Sequence, residues 1–170
     1  MENREESCIF LVEVLMGQNL KIETKQHFLT GIPGIDDQHK GIFLIIDTLL
    51  DSLKEKSLSS DSVRTTIHEI LGNLKSHFST EEKLMEMVGF SKVKEHKALH
   101  KNFLNMLAEE LKNHKHADYE KIGHFVHTLR SSVFTHISIF DRDYVDFVED
   151  LLTARKKFNI TALKAQAVAG

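Results

Sequence analysis

The stretch IHEILGNLKSHFSTEEKLM (67–85) decides the fold of this chain. Its apolar residues recur at steps of three and four, which is the period of a helix that buries one face. They are Ile67, Ile70, Leu71, Leu74, Phe78 and Met85. His77 and Glu81 fall in the same stripe and, being four residues apart, project from one face of the helix. The stretch therefore predicts a core helix that turns two polar side chains inward.

Three other segments carry a stripe with the same period, one before this helix and two after it. The stripes are Ile35, His39, Ile42, Ile46, Leu49 and Leu53; Val93, His96, His100, Phe103, Leu107 and Leu111; and Ile122, Phe125, Leu129, Val133, His136, Phe140, Tyr144 and Phe147. The first helix is expected to begin at Asp36, because this residue follows Pro33-Gly34 and has the short polar side chain of a helix cap. Polar connections interrupt the pattern, and no segment alternates convincingly like a strand. The sequence predicts an all-α fold, an up-down-up-down antiparallel four-helix bundle.

One domain accounts for most of the 170 residues. We assign the bundle to residues 20–150, an N-terminal extension to residues 1–19, and a C-terminal tail or short helix to residues 151–170. The extension contains the apolar run CIFLVEVLM (8–16), which has neither a clean helical nor a clean strand period. It is either a packing segment or an arm that docks a protein partner, and the C-terminal tail is the other expected docking surface.

Composition excludes several classes of protein. The net charge is −3 and no basic stripe occurs, so we expect no binding of nucleic acid. The one cysteine, Cys8, cannot form an internal disulfide, a zinc–thiolate site or an iron–sulfur cluster, and it suits the reducing cytoplasm. No apolar run approaches the roughly 20 residues of a membrane span. Residues 8–16 are too short for one and contain Glu13, so we expect neither a membrane segment nor a signal peptide.

Seven side chains on the four predicted helices have the chemistry of metal ligands. They are His39, His77, Glu81, His96, His100, His136 and Asp141. A single histidine in a helical core is usually structural, but here imidazoles recur at matched depth on successive helices. A buried carboxylate such as Glu81 requires a partner or a metal, and shared metal satisfies the whole set most simply. The other histidines lie in loops or off the stripes and are expected to face solvent; they are His27, His68, His114, His116, His124 and His127.

Asp141 fits the helical period less well than the other six. It follows His136 by five residues, which places it about 140° around an ideal helix. Either its side chain reaches sideways towards a second metal, or the helix is locally overwound or bulged there. Phe140 is the better-phased core position.

The number and type of donors narrow the metal. Imidazole suits iron, zinc, copper and nickel, and carboxylates can bridge two ions. Five histidines and two carboxylates are too many for one ion, but two ions about 3.5–4 Å apart would use them all. Two zinc ions remain possible on this count.

The chain resembles the bacterial hemerythrins over about residues 22–148. The matching segments are GIPGIDDQHKGI (31–42), HFSTEEKLMEMVGF (77–90), HKALH (96–100) and HISIFDRDY (136–144). Each segment alone is a weak signal, whereas the set with its H-x-x-x-E, H-x-x-x-H and H-x-x-x-x-D spacings is highly specific.

The resemblance implies two iron ions joined by an oxo or hydroxo bridge. It assigns His96, His100 and His136 to one iron and His39 and His77 to the other, with Glu81 and Asp141 bridging the pair. This division leaves an open position on the iron with two histidines, where dioxygen would bind. Apolar walls would keep that position dry, and the candidates are Ile42, Phe43, Ile46, Phe78, Ile137 and Phe140.

The chain departs from the hemerythrin pattern in three respects. It contains no tryptophan, it has the polar Ser138 where an apolar side chain is common, and residues 1–19 have no counterpart in the minimal domain. A Ser138 that faced the pocket would admit water and speed oxidation. The missing tryptophans do not touch the seven expected ligands.

The resemblance favours a non-enzymatic protein that binds dioxygen reversibly for storage, delivery or sensing. The alternatives on the same ligands are a di-iron peroxidase or oxidase, an enzyme that handles nitric oxide, and a bundle that only buffers metal. The sequence leans to the first role because it shows no second acid–base pair beside the site. It also lacks the Glu-x-x-His motif of ferritin-like oxygenases.

Overall fold

The computed structural model describes residues 29–113 and 119–154, and within them the chain is helical and has no strand. The helices are α1 (Pro33–Lys54), α2 (Ser60–Val88), α3 (Val93–Asn113) and α4 (Tyr119–Thr135). A π-helical turn (His136–Phe140) follows α4, and residues 142–154 resume an α-helix, which we label α5. Together α4, the π turn and α5 form the fourth helix of the bundle.

Neighbouring helices run antiparallel. α1 packs against α2 and α4, and α2 packs against α3. His39 near the start of α1 meets His77 in the second half of α2, and Glu82 late in α2 meets His100 early in α3. Arg130 of α4 pairs with Asp47, which lies towards the end of α1. The predicted all-α four-helix bundle is confirmed.

Two apolar clusters fill the bundle, one on each side of a polar level. The larger cluster extends from Ile42 along α1 and includes Phe78 of α2, Leu107 of α3 and Ile137 of the fourth helix. The smaller one joins Met85, Phe90, Tyr144 and Val145 at the other end of the bundle. Burying each such side chain contributes about 1.5–3 kcal/mol. Glu81 lies between Phe78 of the larger cluster and Met85 of the smaller one, and Asp141 lies between Ile137 and Tyr144 in the same way.

The first helix begins earlier than the sequence predicted. It starts at Pro33 rather than Asp36, because proline has the backbone φ of a first helical turn and loses no hydrogen bond there. The prediction that Asp36 caps the start of the helix is therefore wrong. Its buried carboxylate instead accepts hydrogen bonds from Thr30 N (2.7 Å), Thr30 Oγ1 (2.8 Å) and Gly31 N (3.2 Å). Asp36 thus ties the preceding loop to the first turn of α1.

Two helix boundaries follow the chemistry of their end residues. Ser59 caps α2 by accepting a hydrogen bond from Ser62 N (3.2 Å). Gly89 ends the same helix with φ of 73°, a left-handed conformation that glycine adopts without steric strain.

Several sequence predictions concern residues outside the described part of the chain. They are the extension 1–19 with Cys8, residues 155–170 of the tail, and His27, His114 and His116. Residues 151–154, the first of the predicted tail, continue α5. None of the described helices is both long enough and apolar enough to cross a membrane.

Candidate metal centre

All seven predicted ligands come together in the core, and each is at most 4% exposed. Their donor atoms form two groups, within each of which the atoms lie within 4.8 Å of one another. One group consists of Glu81, His96, His100, His136 and Asp141, and the other of His39, His77, Glu81 and Asp141. The arrangement is therefore three histidines on one side, two on the other, and both carboxylates common to the two groups.

The shortest distances place the carboxylates between the imidazoles. Asp141 Oδ1 lies 3.1 Å from both His96 Nε2 and His136 Nε2. Glu81 Oε2 lies 3.3 Å from His100 Nε2 and 3.6 Å from His77 Nε2. Glu81 thus touches both groups.

The π-helical turn explains how Asp141 reaches the centre. Asp141 N donates to His136 O at 3.2 Å, so one hydrogen-bonded turn contains five residues instead of four. Asp141 is 0% exposed, whereas the better-phased Phe140 is only half-buried. Of the two alternatives, the structure contains the local bulge.

Four of the centre's candidate metal-ligand atoms are buried and have no hydrogen-bond partner among the described residues. They are Glu81 Oε2, His96 Nε2 and both carboxylate oxygens of Asp141. The ring nitrogens also face one another, with His39 Nε2 at 3.2 Å from His77 Nε2 and His100 Nε2 at 3.1 Å from His136 Nε2. Buried polar atoms normally have hydrogen-bond partners, so the four atoms that lack one fit bound cations.

Two ligand imidazoles are oriented by residues outside the seven. Gln38 Oε1 lies 3.1 Å from His77 Nδ1, and Glu82 Oε1 lies 2.9 Å from His100 Nδ1. Such partners fix the tautomer and ring orientation of a metal-binding histidine. Gln38 lies in the matching segment GIPGIDDQHKGI (31–42), but its contact with His77 was not predicted, and no sequence signal distinguished Glu82 from other acidic residues.

Tyr144 supports the shared carboxylate Glu81. It is 0% exposed and its hydroxyl donates to Glu81 Oε1 at 2.6 Å. Burial raises the pKa of Tyr144 far above its usual range, so the hydroxyl keeps its proton and remains a donor. One oxygen of Glu81 is therefore held by Tyr144, and the other is the unpaired Oε2.

The electrostatics of the centre favour cation binding. Burial lowers the pKa of His77 to about 4, so this imidazole is neutral near pH 7 and offers a lone pair. Burial opposes charging of His136 as well, but the adjacent Asp141 outweighs it and raises the pKa of His136. Burial likewise opposes ionisation of Asp141, yet the His136 and His96 rings hold the pKa of this carboxyl below its usual range.

Apolar side chains surround the donors. The Phe78 ring stacks on His100 with centroids 4.0 Å apart and planes 8° from parallel. Four other expected wall residues lie in the larger apolar cluster: Ile42, Phe43, Ile46 and Ile137. Phe140 lies outside this cluster, and its ring centroid is 5.8 Å from that of His136. Ser138 Oγ is buried without a hydrogen-bond partner among the described residues. Outside the centre, His68, His124 and His127 are exposed, as expected.

Fold and site together define a four-helix bundle with a buried histidine–carboxylate centre of the type that binds metal. Residues 30–148 match the family model of the hemerythrin HHE cation binding domain. The chain is 34% identical to a bacteriohemerythrin of Pseudomonas paraeruginosa over 120 residues, which is 70% of this chain and 76% of that protein. It is 30% identical over 128 residues to a bacteriohemerythrin of Clostridium acetobutylicum, covering 72% of this chain and 97% of that one. The chain belongs to the hemerythrin family.

Proposed function

We propose that the seven clustered side chains hold two iron ions and that the protein binds dioxygen reversibly, for storage, delivery or sensing. The observation that carries the proposal is the division of the donors into two groups that share Glu81 and Asp141. A centre in which two carboxylates are common to both groups fits two bridged ions.

The donor set favours iron over zinc. One group offers five donors and the other four, all of them nitrogen or oxygen. Structural zinc sites are tetrahedral, and catalytic zinc usually takes three protein ligands with one water. Five donors exceed that requirement, while a larger coordination number suits iron held by imidazole and carboxylate. The relatives named bacteriohemerythrin agree with this choice.

The two groups have different tasks in the proposal. The group with His96, His100 and His136 has one histidine more than the group with His39 and His77. The smaller group therefore leaves room for an external ligand. A reduced pair of irons would supply an open coordination position and the two electrons that reversible dioxygen binding requires.

The protein side chains hold, orient and shield the centre. Gln38 and Glu82 hold the Nδ1 atoms of two imidazoles, which turns the Nε2 lone pairs inward. Apolar clusters above and below the centre restrict water and protons. Tyr144 and Glu82 already hold ligands of the centre through hydrogen bonds, which favours binding over acid–base catalysis.

The test is a cycle of reduction and oxygenation with metal analysis. We expect two irons per chain and a visible absorption band that appears when air is admitted to the reduced protein and disappears when oxygen is removed. Rapid irreversible conversion to a ferric form with turnover of peroxide would favour the enzymatic alternative. Zinc, or no metal, in protein expressed with ample iron would overturn the proposal.

A further inference from the structure

The two oriented imidazoles have partners of different charge. His100 Nδ1 faces the carboxylate of Glu82, whereas His77 Nδ1 faces the neutral amide of Gln38. His100 belongs to the group with three histidines and His77 to the group with two. The charge difference therefore separates the two proposed metal positions.

The direction of both hydrogen bonds follows from the chemistry of the partners. The Thr80 hydroxyl donates to Ser76 O at 3.0 Å and can accept from Gln38 Nε2, which lies 3.2 Å away. This places the amide oxygen of Gln38 towards His77, and an oxygen can only accept. Glu82 is likewise an acceptor, so both imidazoles donate from Nδ1 and leave an Nε2 lone pair for the centre.

Glu82 also connects His100 to a charged group at the surface. Lys97 Nζ lies 3.7 Å from Glu82 Oε2 and donates to Glu86 Oε1 at 2.6 Å. The Glu82 side chain is 26% exposed and that of Lys97 is 38% exposed, so solvent screens the lysine more than the glutamate. The stacked Phe78 shields one face of the His100 ring.

We propose that Glu82 is a positioning residue that makes the two metal positions electrically unequal, and that Lys97 moderates this effect from the surface. A carboxylate beside the Nδ1–H makes an imidazole a more basic ligand. Its negative charge also stabilises the more positive oxidation state of the nearby metal. The iron held by three histidines is therefore the easier of the two to oxidise. The inference rests on the proposed di-iron centre but not on dioxygen binding.

The decisive variant is Glu82→Gln, because it keeps an oxygen that can accept from His100 and removes only the charge. Glu95→Gln is the matched control, since it removes the same charge from an exposed residue of α3 beside His96 and is not one of the carboxylates paired with Lys97. Potentiometric titration of the iron-loaded proteins with dithionite measures two one-electron midpoint potentials. We expect Glu82→Gln to raise the lower midpoint potential, which is that of the iron held by three histidines. The difference between the two midpoint potentials should therefore become smaller. At a fixed potential, the ratio of ferric to ferrous iron at this position should change about tenfold. This corresponds to a shift of about 59 mV in its midpoint potential.

Two further variants separate charge from geometry. Glu82→Ala removes the acceptor as well, and we expect iron binding at one of the two positions to weaken by about 10- to 100-fold in anaerobic Fe²⁺ titrations. Lys97→Met removes the moderating cation and should widen the gap in potential. In metal-free protein, nitrogen NMR should find the Nδ1–H tautomer at His100 in wild type and Glu82→Gln, and its loss in Glu82→Ala.

The inference is overturned if Glu82→Gln leaves the gap between the two midpoint potentials unchanged or shifts it no more than Glu95→Gln does. It is also overturned if the His100 tautomer is the same in Glu82→Ala as in wild type. These results are independent of oxygenation, so a protein with unequal irons but no reversible oxygen band would contradict only the proposed function. A reversible band with an unchanged gap would contradict only the role of Glu82.

Discussion

Deletion of Ile139 tests whether the π-helical turn is what brings Asp141 into the centre. Five residues of a regular α-helix leave Asp141 about 140° from His136, whereas four residues leave it about 40° away. The π turn contains one extra residue, so Asp141 occupies the place of a fourth residue. Removing one residue should restore a regular helix with Asp141 still directed at the centre. Ile139 is suitable because it is 50% exposed.

The expected result is a folded protein that keeps both metal ions. Tyr144 and Val145 should also keep their orientation towards the core, because the deletion removes only the residue that the π turn adds. The free energy of unfolding should change by about 0.5 kcal/mol or less, which is the usual range of surface substitutions. Metal analysis and urea denaturation measure the two quantities.

Deletion of Ser131 is the matched control, because this residue is also exposed but lies in the regular part of α4. It should rotate all later residues by about 100° and shift them by about 1.5 Å along the axis. Val133, Ile137 and Val145 would leave the core, and each loss would cost about 1.5–3 kcal/mol. The sum of the three approaches the whole free energy of unfolding of a domain. If the Ile139 deletion loses metal or unfolds like the control, the π turn does not have the role assigned to it.

Three further predictions concern the centre and the start of the bundle. Glu81→Ala should bind less metal and melt at a lower temperature, because metal binding is linked to folding; calorimetry with metal analysis decides, and retention of both ions would contradict its shared role. Asp36→Ala should lose the hydrogen bonds from Thr30 and Gly31 and destabilise the fold by about 2–3 kcal/mol in urea, whereas the exposed Asp37→Ala should have an effect below about 0.5 kcal/mol. Removing metal with a chelator should lower the melting temperature, since the buried donors lose their partner, and adding iron back should restore it; an unchanged melting temperature would argue against a bound ion.

The sequence was most informative where a regular helix decides the geometry. The period of 3.6 residues relates His77 to Glu81 and His96 to His100, and these pairs lie together as predicted. The same period misplaces Asp141, because the hydrogen bond from Asp141 N to His136 O spans five residues instead of four. Asp141 therefore takes the place on the helix that the fourth residue after His136 would have. Only the family resemblance indicated that this five-residue spacing is used.

Other features depend on how the helices are rotated against each other, which a stripe of apolar residues fixes only roughly. Glu82 follows Glu81 on the partly exposed side of α2, and its contact with His100 depends on where α3 packs. The start of α1 depended on a local competition in which Pro33 favoured the first helical turn and Asp36 bonded backwards to the loop. In both cases the sequence did not indicate which residue the side chain would contact.

A crystal of the iron-loaded protein, measured at the iron absorption edge, tests the two-metal centre most directly. We predict two anomalous peaks about 3.5–4 Å apart. One should lie beside His96, His100 and His136, and the other beside the remaining two histidines of the centre, with Glu81 and Asp141 between the peaks. A single peak, or two peaks that do not share these carboxylates, would contradict the account.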